Sequence, residues 1–452
     1  MNLEKKKVSV VGMGKSGYSI VKILLSMKAD VFISDSKDEK ALLKNLSGID
    51  INSISYEYGT NTEKIYKNKD LIILSPGVSV NHPIIYDALK AGVSVISEIE
   101  FAYRLAQAPI IAVTGTNGKS TTVSLINNLL CFKSIKSVLA GNIGAPLSAE
   151  VINHPEASWI VAEISSFQLE TILDFRPKIG ILTNITPDHT DRHGNMDNYI
   201  KAKARLFENQ TNDDYAIVNY DCPNCLKAVS NIKSKTIFFS SLSKVKTGFF
   251  VKDGHILSSF EGKIEEYFDI DAIPLKGVHN LKNILALCCT AHILGISITN
   301  CLKSLGNFVP LHHRMEFVKK IGSVSFYNDS KGSNPGAVIA AINSINEPFV
   351  LIAGGKDKNM DFSSMSEIIA QKAKALVVIG ETGEKIAAQV KSFGFKNIFY
   401  CDGNFEKAIK TAFNICGEGI VLLSPACASF DMFDSAEHRG DEFKRIVSEM
   451  EK

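Results

Sequence analysis

"AVTGTNGKST", residues 112–121, closes the apolar run "PIIAVTG" and opens a helical stretch. The order is strand, loop, helix, the opening unit of an open α/β sheet. Gly115 to Thr121 spells G-x-x-G-K-S-T, two residues shorter between its glycines than the usual phosphate loop G-x-x-x-x-G-K-[ST]. The physics survives the shortening. Glycines let backbone N–H groups converge on phosphate oxygens, the helix start adds positive potential, Lys119 reaches the terminal phosphates and a hydroxyl such as Ser120 ligates magnesium. Such sheets bind ligands at the carboxyl ends of their strands. Glu163 ends "WIVAE", and Asp188 and His189 follow "ILTNIT", so hard donors suited to magnesium stand where that rule puts a site.

Outward from this loop the chain repeats the strand-helix alternation on both sides. Residues 8–97 hold "VSVVG", "ADVFISD", "DLIILSPGV" and "VSVIS", which predict a parallel, helix-covered sheet. The central set continues with "WIVAEIS", "KIGILTN" and "DYAIVNY", has shorter strands over 236–275 and ends in the helix "HNLKNILALCCTAHILG" and a short helix near 299–305. After "NFVPLHHRMEF", five further strands, "SVSFYNDS", "FVLIAGG", "ALVVIG", "NIFYC" and "GIVLLSP", give another doubly wound pattern. The expectation is an α/β protein of three domains: a Rossmann-like sheet over 1–98, a central phosphate-loop ATPase-type domain over 99–309 and a C-terminal Rossmann-like domain over 310–452.

A second glycine loop stands near the start. Gly12, Gly14 and Gly17 fit G-x-G-x-x-G after the strand Val8 to Val11, and Asp35 ends the next strand in "ISDS". That suits a redox dinucleotide, another nucleotide-bearing ligand or a glycine turn that packs. Roughly ninety residues hold one nucleotide-binding half, hardly the two that a dinucleotide straddles.

The 452 residues are 45% hydrophobic and 22% charged, and 50 basic against 48 acidic side chains leave a formal charge of +2. Nothing in that balance points to nucleic acid. The apolar run after "MNLEKKK" is too short for a signal-peptide core, and "LALCCTAHILGI" falls short of the ~20 residues of a membrane span. The expectation is an unexported, cytoplasmic protein. Nine cysteines, an odd number and mostly in apolar runs, argue for a reducing compartment. Cys222 and Cys225 in "DCPNC" have redox or zinc spacing, but no second pair completes a zinc site, and a turn around Pro223 is the preferred reading.

Together "GTNGKST", "EISSFQLE", "TNITPDHTDRHG", "GVHNLKN", "NDSKGSNP" and "LLSPACASFDMFDSAEHRGDEF" resemble the Mur ligases nearly end to end, and the last two motifs resemble the D-glutamate-adding members. The resemblance implies an ATP-dependent, ADP-forming amide ligase of peptidoglycan precursor synthesis, acting as a monomer on UDP-N-acetylmuramoyl-L-alanine and D-glutamate through an acyl phosphate. It gives the two loops separate tasks. The first loop, with Gly14, Lys15 and Ser16, and Ser75, Pro76 and Gly77 would hold the UDP part, Asp35 and Ser36 the uracil, and Asn142 the muramoyl sugar. Gly115, Thr116, Asn117, Gly118, Lys119, Ser120 and Thr121 would hold ATP, with Asn280 and Asn283 at the adenine, Arg314 at phosphate and Asp329 at ribose. Two magnesium ions would be held by Ser120, Glu163, His189 and Lys203, the last carbamylated. Lys331, Ser333, Lys358, Ser429 and Phe430 would line the D-glutamate pocket. Read without the family, Lys203 is one cation of a solvated helix, with Lys201 and Arg205 as neighbours, and Lys356 competes with Lys358. An aromatic lid residue found in some members is replaced by Ala436 before Glu437, His438, Arg439 and Gly440, leaving Phe433 or Phe430 to cover the pocket. A sibling ligase for another amino acid is the nearer alternative; an NAD-dependent oxidoreductase leaves the second loop unexplained.

Overall fold

Short β-branched runs bounded by glycine and polar turns build three sheets in a computed structural model that describes residues 1–401 and 403–451, with Thr190 and Asp191 described by their backbone alone. The first sheet is wholly parallel, in the order Ile54–Tyr58, Asp30–Asp35, Lys7–Val11, Leu71–Leu74, Ser94–Ser97. The second has nine strands, in the order Lys263–Asp269, His255–Phe260, Gly248–Lys252, Lys235–Ser240, Tyr215–Asn219, Ile179–Leu182, Ile110–Thr114, Trp159–Glu163, Ser137–Gly141. It is parallel except for the antiparallel pairs made by the strands over 248–269. The third runs Glu316–Ile321, Val324–Asn328, Gly419–Leu423, Phe349–Gly354, Ala375–Ile379, Ile398–Tyr400, parallel apart from its first pair. Leu71–Leu74 and Ile110–Thr114 are buried at every position, which is why they read as unbroken apolar runs.

Three strands were not announced by the sequence: Ile54–Tyr58, Ser137–Gly141 and Glu316–Ile321. Each lies at a sheet edge. An edge strand has one paired side and less burial, so "ISYEY" and "EFVKKI" carry polar residues that break the apolar run. The helices Val278–Ile293 and Ile298–Leu305 lie where the sequence puts them.

The chain divides into two compact units. One is Met1–Ile185, Asp197–Ala272 and Lys282–Gly306, holding the first and second sheets; the other is Thr186–Met196, Ile273–Leu281 and Asn307–Lys452, holding the third. Within the former, buried acids tie the two sheets together. Ser97 ends the first sheet and caps the helix Glu98–Tyr103. The Glu100 carboxylate then accepts the N–H groups of Leu173, Asp174 and Phe175 at 2.8–3.1 Å, and Glu98 Oε1 accepts that of Ser148 at 2.6 Å. Among the described residues no helix is long and apolar enough to cross a membrane.

Candidate functional site

The phosphate loop leaves the strand Ile110–Thr114 and needs glycine twice. Gly115 has φ +150°, and a Cβ there would lie 1.9 Å from Thr183 Oγ1; Gly118 has φ +85°, and its Cβ would lie 2.6 Å from Asn283 Oδ1. The neighbouring strand end fixes the loop's shape. The Thr116 N–H donates to Asn184 O at 2.8 Å and the Asn117 N–H to Asn184 Oδ1 at 2.9 Å. Asn117 O in turn accepts Asn184 Nδ2 at 2.8 Å and Thr183 Oγ1 at 2.7 Å. The helix Lys119–Phe132 starts at Gly118, which supplies no side-chain cap, so the N–H groups and dipole of its first turn favour an anion. Ser120 is buried in that turn and Thr121 is half-buried.

Two lysines converge on one carbonyl. Lys119 Nζ donates to Gly115 O at 2.9 Å and to Thr116 O at 2.8 Å, and Lys203 Nζ donates to Gly115 O at 2.8 Å. Lys203 is 1% exposed and its ammonium lies 4.6 Å from the ring centre of Tyr199, whose hydroxyl is 3.2 Å from Thr116 Oγ1. Of the three cations on this stretch, Lys203 is the one turned into the loop: Lys201 is exposed, and Arg205 Nη2 donates to Ile172 O at 2.8 Å. Periodicity alone had made Lys203 a solvated residue, because the helix Met196–Ala204 is polar on average and the loop it covers is distant in sequence.

Glu163 is 2% exposed at its strand end. Its Oε1 accepts Asn142 Nδ2 at 2.8 Å, while its buried Oε2 has no hydrogen-bond partner among the described residues. An orphaned buried carboxylate oxygen suits a hard cation, and with the Ser120 hydroxyl the donor types fit magnesium. Asn142 thus supports Glu163 directly. Asn283 Oδ1 accepts Thr122 Oγ1 at 3.2 Å against the phosphate loop, and Asn280 Nδ2 donates to Lys276 O at 2.9 Å.

The first glycine loop lines a cavity of about 390 Å³ together with Lys15, Ser16, Asp35, Ser36, Ser75, Pro76 and Gly77. Gly12 has φ +88°, and a Cβ on Gly17 would lie 2.1 Å from Gly12 O, whereas Gly14 has open space. Asp35 is buried and accepts the N–H groups of Met13 at 2.6 Å and Lys37 at 2.8 Å; Ser75 Oγ donates to Gly12 O at 2.6 Å. These bonds hold the loop around the cavity.

In the second unit Asp329 is wholly buried after the strand Val324–Asn328. Burial pushes its carboxyl up to about 6, against the opposing charge of Arg314 and a 2.7 Å bond from Ser424 Oγ. Arg314 Nε is buried with no partner among the described residues, and its charge adds to burial in lowering the His279 pKa. Asp188 is buried, 3.7 Å from Lys358 Nζ, and accepts Asn334 Nδ2 at 3.2 Å. His189 adopts φ +53°, uncommon for a non-glycine residue, with Nε2 3.7 Å from Asp188 Oδ2. Lys331 Nζ lies 3.4 Å from Glu437, and the Ser333 N–H donates to Lys331 O at 2.9 Å. Lys356 is drawn to Glu381 at 2.6 Å on the surface. Ser429 is buried, and Phe430 is 73% exposed, while Phe433 packs on Phe405 and His438. Sequence reasoning gave Arg439 no task of its own. Its buried guanidinium donates to Ser330 Oγ at 3.0 Å, Ser330 O at 2.9 Å and Cys427 O at 3.1 Å, tying together the loops that carry Lys331 and Ser429.

The chain matches the model of the Mur ligase middle domain over residues 113–291, of the Mur ligase MurD-like N-terminal domain over 6–97 and of the Mur ligase glutamate ligase domain over 313–427. It is 44% identical over 453 residues to the UDP-N-acetylmuramoylalanine–D-glutamate ligase of Thermoanaerobacter sp. (strain X514), covering 100% of each chain. To the protein of the same name from Clostridioides difficile (strain 630) it is 39% identical, again over 100% of each. Two solved structures share the fold. The UDP-N-acetylmuramate-alanine ligase of Thermotoga maritima has TM-score 0.61 at 17% identity, over 98% of this chain and 100% of that one. The MurF ligase of the same organism, solved with ADP, has TM-score 0.59 at 16% identity, over 93% and 95%. The chain belongs to the Mur ligase family.

Proposed function

We propose that this chain joins the carboxyl group of UDP-N-acetylmuramoyl-L-alanine to the amine of D-glutamate, converting ATP to ADP and phosphate, in peptidoglycan precursor synthesis. The observation that carries the reading is the short phosphate loop on which Lys119 and Lys203 meet, in a chain alike from end to end to ligases of that name. Residues 1–98 take the uridine handle, 99–309 the ATP and 310–452 the amino acid, in a cytoplasmic monomer.

A carboxylate is a poor acyl donor. Its oxygen attacks the γ-phosphorus of ATP, ADP departs and an acyl phosphate forms. Lys119 offsets the charge that accumulates as two anions approach, and the loop N–H groups orient the phosphates. The amine of D-glutamate then attacks the acyl carbon, and phosphate leaves with the oxygen that the carboxyl group supplied. Magnesium at two positions would neutralise phosphate charge, held by Ser120, Glu163, His189 in its neutral form and Lys203 as a carbamate. Arg314 contacts phosphate and Asp329 the ribose, while Asn280 and Asn283 serve the adenine end. Asp35 and Ser36 meet uracil. Gly14, Lys15, Ser16 and Ser75 to Gly77 hold the diphosphate side, and Asn142 meets the sugar while bracing Glu163. Lys331, Ser333, Lys358, Ser429 and Phe430 take the dicarboxylate amino acid, the two lysines by charge and Phe430 as its cover.

The test is mass spectrometry of the product formed from ATP, UDP-N-acetylmuramoyl-L-alanine and D-Glu, L-Glu or L-Lys supplied separately. The D-Glu adduct alone is expected. Equal use of L-Lys would assign the chain to a sibling activity, and phosphate release without an amine would remove the ligase reading.

A further inference from the structure

The pair Cys222 and Cys225 takes no part in the reaction proposed above. All nine cysteines are free thiols. Cys222 precedes the short helix Pro223–Ala228 and is half-buried, whereas Cys225 is wholly buried in its first turn. The neighbouring Cys225 thiol, ahead of the Ile185 N–H, draws the Cys222 pKa down to about 6 against the effect of burial. Burial pushes Cys225 up. This is the asymmetry of an accessible nucleophile and a shielded resolving thiol.

What the pair touches gives it meaning. Cys222 Sγ accepts the Ile185 N–H at 3.4 Å and lies 3.7 Å from Ile185 O, and Asn224 Nδ2 donates to that same carbonyl at 3.0 Å. Ile185 directly follows Thr183 and Asn184, whose four bonds shape the phosphate loop at Thr116 and Asn117. We propose that Cys222 and Cys225 form a reversible thiol–disulfide site that sets the grip of the segment Thr183–Ile185 on the phosphate loop.

The oxidant is a low-molecular-weight disulfide. The Cys222 thiolate attacks one of its sulfurs and expels a thiolate. Cys225, giving up its proton to water, then attacks Cys222 Sγ and expels the second. Two protein thiols lose two electrons, and one small disulfide becomes two thiols. A Cys222 sulfur bonded to Cys225 no longer offers the Ile185 N–H its anionic acceptor, and the segment beside the loop loosens. The effect on ATP rests on the ATP reading of that loop.

The full-length protein, equilibrated with reduced and oxidised glutathione, is alkylated and mapped by peptide mass spectrometry, and ATP binding is measured by calorimetry in both states. The expected result is a Cys222–Cys225 disulfide without bound glutathione and an ATP affinity about five- to tenfold weaker, restored by dithiothreitol. Cys222→Ala should bind ATP equally under both conditions. If that variant does not fold, Cys225→Ala should stop at a mixed disulfide of Cys222 with glutathione. Thiols that persist in oxidised glutathione, or a disulfide that leaves ATP affinity unchanged, overturn the proposal. Reduced protein that binds no ATP refutes the loop reading instead.

Discussion

Asp329→Asn should stabilise the protein while impairing it. Asp329 is buried, and its carboxyl stands at about 6 where an ordinary aspartate titrates near 3.9. At 1.36 kcal/mol per pH unit, holding it charged in the fold costs about 3 kcal/mol. The folded-state value lies above the unfolded one, so the folded protein binds more protons between about pH 4 and pH 6, and stability falls as pH rises through that window. The cost is complete at pH 8 and about half as large at pH 5. Asparagine removes the charge yet keeps an acceptor for the Met315 N–H and a partner for Ser424 Oγ, the two groups that Asp329 meets at 3.4 and 2.7 Å. Urea unfolding followed by circular dichroism should show the variant more stable by about 2–3 kcal/mol at pH 8 and by roughly half that at pH 5. The KM for ATP should rise, because the charge answers to Arg314 and to the proposed ribose contact. A variant less stable at pH 8, or an effect equal at both pH values, would refute the reasoning.

Four further substitutions test separate parts of the site. Lys203→Ala should lower kcat by about 10²-fold or more, with partial recovery in short-chain carboxylic acids that replace the lost anion; wild-type activity would discard the carbamate. Gly118→Ala places a side chain at φ +85° and 2.6 Å from Asn283 Oδ1, costing about 1–2 kcal/mol in backbone strain alone. ATP KM should rise about tenfold, and unchanged ATP kinetics and melting temperature would show that the loop accepts a Cβ. Lys358→Ala should raise the KM for D-glutamate by about tenfold or more while Lys356→Ala changes it less than about twofold, since Lys356 is held on the surface by Glu381; the reverse order would exchange their roles.

The central strands and the phosphate loop were legible because burial on both faces leaves apolar runs bounded by glycine, and because Gly115, Gly118 and Lys119 are contiguous. Edge strands such as Glu316–Ile321 were not, since a half-exposed strand tolerates "EFVKKI". The site was legible where its parts are local and obscure where the fold assembles it. The bond from Lys203 to Gly115 spans 88 residues, that from Asn334 to Asp188 spans 146, and those of Arg439 to Ser330 span 109. No spacing rule on a single helix finds such pairs. The family resemblance singled out Lys203; the structure adds that Lys201 and Arg205 turn elsewhere. Asn184 lay inside a quoted motif, yet its task as the clamp of the phosphate loop appears only when the strand Ile179–Leu182 is paired beside Ile110–Thr114.

The measurement closest to the central claim follows oxygen. UDP-N-acetylmuramoyl-L-alanine labelled with heavy oxygen in its carboxyl group, turned over with ATP and D-glutamate, should deliver one labelled oxygen to each inorganic phosphate released. Phosphate that carries no label during productive turnover would contradict activation of that carboxyl group by ATP at the loop of Lys119.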